Sequence, residues 1–153
     1  MSRRRVSVWI VFAMGMLSLG LLASPASAQV TPGVRVGLSV DPDQFYIGGH
    51  IETTPLIDRL HFRPNVEAGF GDPHTLVALN FEFAYRFPSR QMWQLYVGAG
   101  PSLNIASADR RSDTEGGFNI LLGAEQSKGL FFEIKVGAAG SPGLKFGVGY
   151  TFH

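Results

Sequence analysis

Among the residues of this chain suited to proton transfer or metal ligation, its four histidines stand first. His50 and His61 fall on one face of two neighbouring alternating segments, near the connection that joins them, which makes them a candidate metal or acid–base pair. Glu52 and Arg63 share that face and offer both imidazoles partners, so hydrogen bonding within a polar interior accounts for them. His74 lies beside Asp72 and Thr75, where turn chemistry explains it. Gly98-Ala99-Gly100 has part of the spacing of a phosphate loop, but no helix follows to offer an N-terminus to an anion. Cysteine is absent, which removes disulfides, thiolate metal sites and cysteine nucleophiles together. The expectation is a chain with no catalytic residue, no cofactor and no metal.

The elements that position these residues are strands. From Thr31 onward no segment has apolar residues at helical spacing, whereas alternation recurs between turns rich in Gly, Pro, Asp and Ser. Val34, Val36, Leu38 and Val40 make a first strand, ended by Asp41-Pro42-Asp43. Phe45, Ile47 and Ile51 make a second, ended by a connection from Thr53 to Arg59. Leu60, Phe62, Val66 and Phe70 make a third, turned by Gly71-Asp72-Pro73. The fourth is the clearest, with Val77, Leu79, Phe81, Phe83, Tyr85 and Phe87 on one face and Ala78, Asn80, Glu82, Ala84 and Arg86 on the other. A fifth runs from Trp93 to Ile105, and Ala106 to Glu115 reads as the longest loop. Phe118 to Ala124, Leu130 to Val136 and Leu144 to Phe152 complete a set of about eight strands near the ~10-residue length of membrane barrels.

Ahead of the strands, Arg3, Arg4 and Arg5 precede an apolar run from Val6 to Ala23 and then Ser24-Pro25-Ala26-Ser27-Ala28. This order of charged, apolar and small residues predicts a cleaved secretory signal over 1–28, with Gln29 the first residue of a single barrel domain over 29–153. Pro25 breaks the helix that a retained anchor needs. Without those three arginines the 13 basic residues fall to 10 against 12 acidic ones, a balance that excludes a nucleic-acid binder. A composition of 45% hydrophobic and 16% charged residues excludes a disordered chain.

Alternation alone does not say which face looks inward. The polar face does, because it holds Gly, Ala, Ser and Asn rather than the Lys, Glu, Thr and Gln of a water-facing surface. Small residues fit a narrow lumen. The charges on this face are Arg35, Arg63, Arg86, Lys135 and Lys145 against Glu52, Glu67, Glu82, Glu125 and Glu133, a balance suited to pairing in a confined interior. Tyr85, Phe87, Trp93, Tyr150 and Phe152 end or begin strands at one rim, where amphipathic rings sit between hydrocarbon and water. Tight turns predict that Arg63 lies opposite Glu82, Asn65 opposite Asn80, and Arg35 opposite His50 or Glu52, with salt bridges between the charged partners.

The C-terminal run Lys145-Phe146-Gly147-Val148-Gly149-Tyr150-Thr151-Phe152 resembles the terminal signal of bacterial outer-membrane barrels, with Lys145, Gly147, Tyr150 and Phe152 on its fixed positions and His153 following where that family ends on the aromatic residue. The mature chain as a whole is similar to small porin-like barrels of the OmpA and OmpX type. The resemblance implies an eight-stranded antiparallel up-and-down transmembrane β-barrel in the outer membrane, read by the barrel-assembly machinery, among lipid and lipopolysaccharide, monomeric and without a nucleic-acid partner. Some small barrels modify lipid A, and a deacylase family among them pairs a His with a Ser two residues later. His50, His61 and His74 are followed at that place by Glu52, Arg63 and Leu76.

An eight-stranded lumen is just wide enough to be filled by side chains, which argues against a diffusion pore. The function expected is therefore structural or surface-interacting, without catalysis; the alternatives are a lipid-modifying membrane enzyme and a soluble periplasmic barrel that carries an apolar ligand. With both ends in the periplasm the segment Ala106 to Glu115 lies outside the cell, where Arg110 and Arg111 are candidates to meet lipopolysaccharide phosphates.

Overall fold

A computed structural model describes residues 29–72 and 74–153; the expected signal over 1–28 lies outside the described residues. Eight strands follow one another: β1 (Val30–Val40), β2 (Gln44–Thr53), β3 (Leu60–Phe70), β4 (Thr75–Arg86), β5 (Trp93–Ala108), β6 (Arg111–Gln126), β7 (Leu130–Ala139) and β8 (Leu144–Thr151). Each pairs antiparallel with its neighbour in sequence, and β1 closes on β8 from Gly33↔Thr151 to Val40↔Leu144. The closed antiparallel barrel leaves no sheet edge along its wall. The turns after β1, β3, β5 and β7 gather at one end, called here the hairpin end, and both described termini at the other, the terminal end.

The segment read as a long loop is instead ladder. Pairing between β5 and β6 continues through Ala106↔Asp113 and Ser107↔Ser112 to Ala108↔Arg111, around a two-residue turn at Asp109 and Arg110. Both turn residues have positive φ, 39° and 136°, the sense that matches the twist of the flanking strands. Alternation vanishes here because the β6 residues of this tip are exposed on both faces, so no apolar stripe marks a strand that the backbone ladder nonetheless forms.

Register decides which lumen residues share a level. Across β3 and β4, Arg63 lies opposite Glu82 and Asn65 opposite Asn80, as the tight turn predicts. Across β1 and β2 the expectation fails: Arg35 lies opposite Gly48, while His50 faces Gly33 and Glu52 faces Thr31. Pairs of that kind require Gln44 in the turn, but it belongs to the ladder opposite Ser39. Its side chain turns inward and Nε2 donates to His74 O at 2.9 Å, which shifts every inward pair of the hairpin.

The two faces have inverted polarity. Leu38, Ile120 and Leu95 are 59%, 59% and 55% exposed on the outside, whereas Arg63, Glu82 and Lys135 are buried inside. Among the described residues the buried apolar side chains include Tyr46, Ala78, Ala84, Tyr96, Leu121 and Phe131. The inward rings lie over glycines of adjacent strands: Tyr46 against Gly37 and Gly147, Tyr96 against Gly123, and Phe131 against Gly149. A Cβ at any of these glycines would collide with the ring, so the glycines admit aromatic filling to a lumen too narrow for both.

Candidate functional site: the charged lumen

At the terminal end Arg86 of β4 is the organising cation. Its Nη2 donates to Glu52 Oε1 at 2.6 Å, to Glu52 Oε2 at 2.8 Å and to Glu125 Oε2 at 3.0 Å, and its Nη1 reaches Gln94 at 3.3 Å. A planar guanidinium suits such forked contacts better than an ammonium does. His61 Nδ1 donates to Thr53 O at 2.9 Å and lies 3.2 Å from Glu52 Oε1. His153, beyond β8, folds back so that Nε2 donates to Glu125 Oε1 at 2.9 Å.

Midway along the lumen Arg63 lies over the rings of Phe131 at 4.5 Å and Tyr96 at 5.1 Å, with Glu52 and Glu133 each at 3.5 Å. Glu133 of β7 accepts from Tyr96 Oη at 2.7 Å and pairs with Arg35 of β1 at 2.9 Å. His50 Nε2 accepts from Arg63 Nη2 at 3.4 Å and lies 3.2 Å from Thr151 Oγ1, with its ring edge-on to Phe131.

Nearer the hairpin end Glu67 is the organising anion, bonded to Lys145 at 2.5 Å, Lys135 at 3.0 Å and Arg35 at 3.4 Å. Lys135 also pairs with Glu82 at 2.8 Å. A relay of amides runs beside them: Asn119 donates to Asn80, Asn80 to Asn65, and Asn65 to Glu82, at 2.8, 2.7 and 2.7 Å. Charges thus occupy the terminal and central levels, and above them come Ser39, Gln44, Ser102 and Asn104.

All ten lumen charges named from the sequence point inward, and each has an ion-pair partner of opposite sign. Asn65 and Asn80 meet as expected, but the proposed ion pairs differ from those found. Arg63 and Glu82 are Cα partners that make no ion pair, because Arg63 turns to Glu133, Glu52 and Glu125 while Glu82 takes Lys135 from β7. Arg35 likewise meets Glu133 and Glu67 rather than His50 or Glu52. In a closed lumen a long side chain reaches across the axis more readily than along the wall, so opposition on adjacent strands does not set its partner. His50 and His61 hold separate bonds and do not form a joint site, and no cluster of three metal-ligating side chains occurs among the described residues.

Of the C-terminal residues, Lys145 is buried on Glu67 and Gly147 lies under the Tyr46 ring, while Tyr150 and Phe152 face outward, 41% and 53% exposed. Arg110 and Arg111 stand exposed at the β5–β6 tip beside Asp109 and Asp113. Beyond the Asn65–Asn80 pair, the asparagine relay through Asn119 and the His153 bond were not read from the sequence. Parity carried through Asn65, Asn80 and Asn119 finds the relay's members; nothing short of the fold finds the bond.

Similar solved structures include the following three. Neisserial surface protein A superposes with a TM-score of 0.64 at 16% identity, over 82% of this chain and 98% of that one. The outer membrane enzyme PagL gives 0.55 at 12%, over 82% and 99%. The N-terminal β-barrel domain of Pseudomonas aeruginosa OprF gives 0.54 at 17%, over 82% and 100%. No protein-family model matches the chain, and no curated protein matches it by sequence. At these identities the likeness shows the fold alone, a closed eight-stranded antiparallel barrel.

Proposed function

We propose that this chain is an integral outer-membrane protein without catalytic activity, a monomeric barrel with a filled lumen that serves envelope structure or surface interaction. One observation carries the reading: a belt of exposed Val, Leu, Ile and Phe surrounds an interior of paired charges, the reverse of a water-soluble barrel. An apolar cargo has no place in such a lumen, which weighs against a soluble carrier. One similar structure is an enzyme, and His50 beside the Thr151 hydroxyl has the elements of a base and a nucleophile. Both are buried, at 4% and 0% exposure, where no lipid reaches them, and this favours the non-catalytic role.

On this reading the signal over 1–28 is removed, Gln29 begins the mature chain, and Lys145, Gly147, Tyr150 and Phe152 present the last strand to the barrel-assembly machinery. The membrane fraction should yield a band that migrates differently boiled and unboiled, with an intact mass that starts at Gln29. A soluble protein with one unchanged band would defeat the membrane reading, and a mass retaining Arg3 to Arg5 would defeat the cleavage alone.

Arg110 and Arg111 then face outward at the hairpin tip, where lipopolysaccharide phosphates take charge-assisted hydrogen bonds from guanidinium groups. Exposed pairs of this kind contribute about 0.2–1 kcal/mol each. Replacing both with Gln should therefore reduce lipopolysaccharide retained through purification by a few fold, and undiminished retention would remove these arginines from the contact.

A further inference from the structure

We propose that the outer wall of the barrel at the terminal end holds one anionic glycerophospholipid, with its phosphate at Arg90 and an acyl chain in a notch over Ala124. The inference rests on the membrane reading and adds a ligand to it. The belt of large outward side chains is interrupted at Ala124 of β6, whose strand partners are Leu95 on β5 and Phe132 on β7, 55% and 52% exposed. A methyl group between two long side chains leaves a hollow of about 480 Å³, walled also by Leu122, Ile134 and Phe146. Within hydrocarbon no hydrophobic force favours one chain over another, so the number of van der Waals contacts decides which chain stays. A notch gives an acyl chain contacts on both flanks as well as beneath.

A second hollow, of about 380 Å³, adjoins the first on the side of the terminal rim and shares Leu95 with it. Trp93 lines one hollow and Phe132 the other, and their rings lie 5.7 Å apart. The second hollow has two characters: Trp93, Leu95 and Phe87 are apolar, whereas the β4–β5 connection supplies Ser89, Arg90 and Gln91. Arg90 is the one charged residue among the described lining, so no carboxylate there answers its guanidinium. The connection is tied to β5: Phe87 N donates to Leu95 O at 2.9 Å, Ser89 Oγ to Trp93 O at 3.0 Å and Gln94 Nε2 to Phe87 O at 3.1 Å. A guanidinium carried beside an apolar trough matches a phosphate that bears acyl chains, and a preformed cradle lowers the ordering cost of holding it. A cation at the membrane surface also favours a net anionic headgroup over a zwitterionic one. The sequence of cation, indole and apolar notch along one wall therefore fits a whole lipid rather than a free phosphate.

Trp93 stands where the two hollows meet, and in the full chain carrying Trp9→Phe it is the one tryptophan. The folded barrel is placed in phosphatidylcholine vesicles with increasing fractions of phosphatidylglycerol, the acyl chains of one lipid or the other being brominated, and quenching of Trp93 reads the preference of the site. Phosphatidylglycerol should be preferred about fivefold, which is about 1 kcal/mol at about 1.4 kcal/mol per tenfold. Arg90→Gln should bring the preference to about one, while Lys128→Gln, in the β6–β7 turn of the same end, should leave it unchanged. Native mass spectrometry after release from detergent should show one retained phosphatidylglycerol, lost from Arg90→Gln and from Ala124→Leu, which fills the notch, and kept by Lys128→Gln. Equal quenching by the two lipids, equal losses from Arg90→Gln and Lys128→Gln, or retention of the lipid by Ala124→Leu would overturn the proposal and leave the membrane reading standing. Absence of quenching by either lipid would overturn both, because a barrel outside hydrocarbon holds no lipid on this wall. Arg90 and Lys128 are exposed and Ala124 faces outward, and retained heat-modifiable migration confirms that each variant is folded.

Discussion

Replacing Glu67 with Leu should destabilise the folded barrel by about 3–5 kcal/mol, the cost of leaving buried charge without its partner. Glu67 holds Lys145, Lys135 and Arg35. Lys135 keeps Glu82 and Glu133, and Arg35 keeps Glu133. Lys145 keeps no carboxylate among the described residues, so the loss concentrates on it. Combining Glu67→Leu with Lys145→Met should accordingly recover part of the stability, measured as urea unfolding from lipid vesicles. The contrast lies at Arg63 and Glu82, which face each other on the wall without pairing. Their alanine substitutions should couple more weakly than those at Glu67 and Lys145, by less than about 1 kcal/mol, because only Lys135 and Glu133 link them. Additive effects at Glu67 and Lys145 would refute the lumen network as drawn.

Ile134→Arg should cost about 2–4 kcal/mol in a bilayer, the penalty of a cation on the lipid face near mid-depth. Ile134 lies near the middle of β7, 43% exposed, between its strand partners Leu122 and Phe146. In water the same change on an exposed face shifts stability by no more than about 0.5 kcal/mol either way. Val40→Arg, at the hairpin end of β1, should cost about 0–1 kcal/mol, because charge near an interface remains hydrated. A depth dependence therefore tests membrane residence directly, and equal small effects at both sites would count against it.

Much of the architecture is legible in parity. Val77 to Phe87 on one face and Ala78 to Arg86 on the other predict both β4 and its orientation, because a closed sheet between lipid and a polar lumen demands strict alternation. The same rule hides the β5–β6 tip, where water lies on both sides and parity carries no information. It identifies the ten lumen charges but not their partners, since Arg63 chooses Glu133 on β7 over Glu82 on the adjacent strand. Partner choice depends on distances across the barrel, which register and side-chain length set jointly. His153 is the extreme case: a terminal residue after the last strand joins Glu125 only once the barrel has closed.

The lumen bonds span long separations in sequence, with Arg35 and Glu133 98 residues apart and His50 and Thr151 101. No single hairpin satisfies all of its own charges: β3 presents Arg63 and Glu67, and beyond Glu52 of β2 their partners lie on β1, β6, β7 and β8, while β1 presents Arg35 but relies on β3 and β7. A sheet of four or six strands would carry uncompensated guanidinium and carboxylate groups on one face and an open edge besides, neither of which hydrocarbon accepts. The partly assembled chain consequently has no favourable resting state within a membrane. On the membrane reading proposed above, insertion and closure become one event, and the charge network that fills the finished barrel also makes its formation all-or-none.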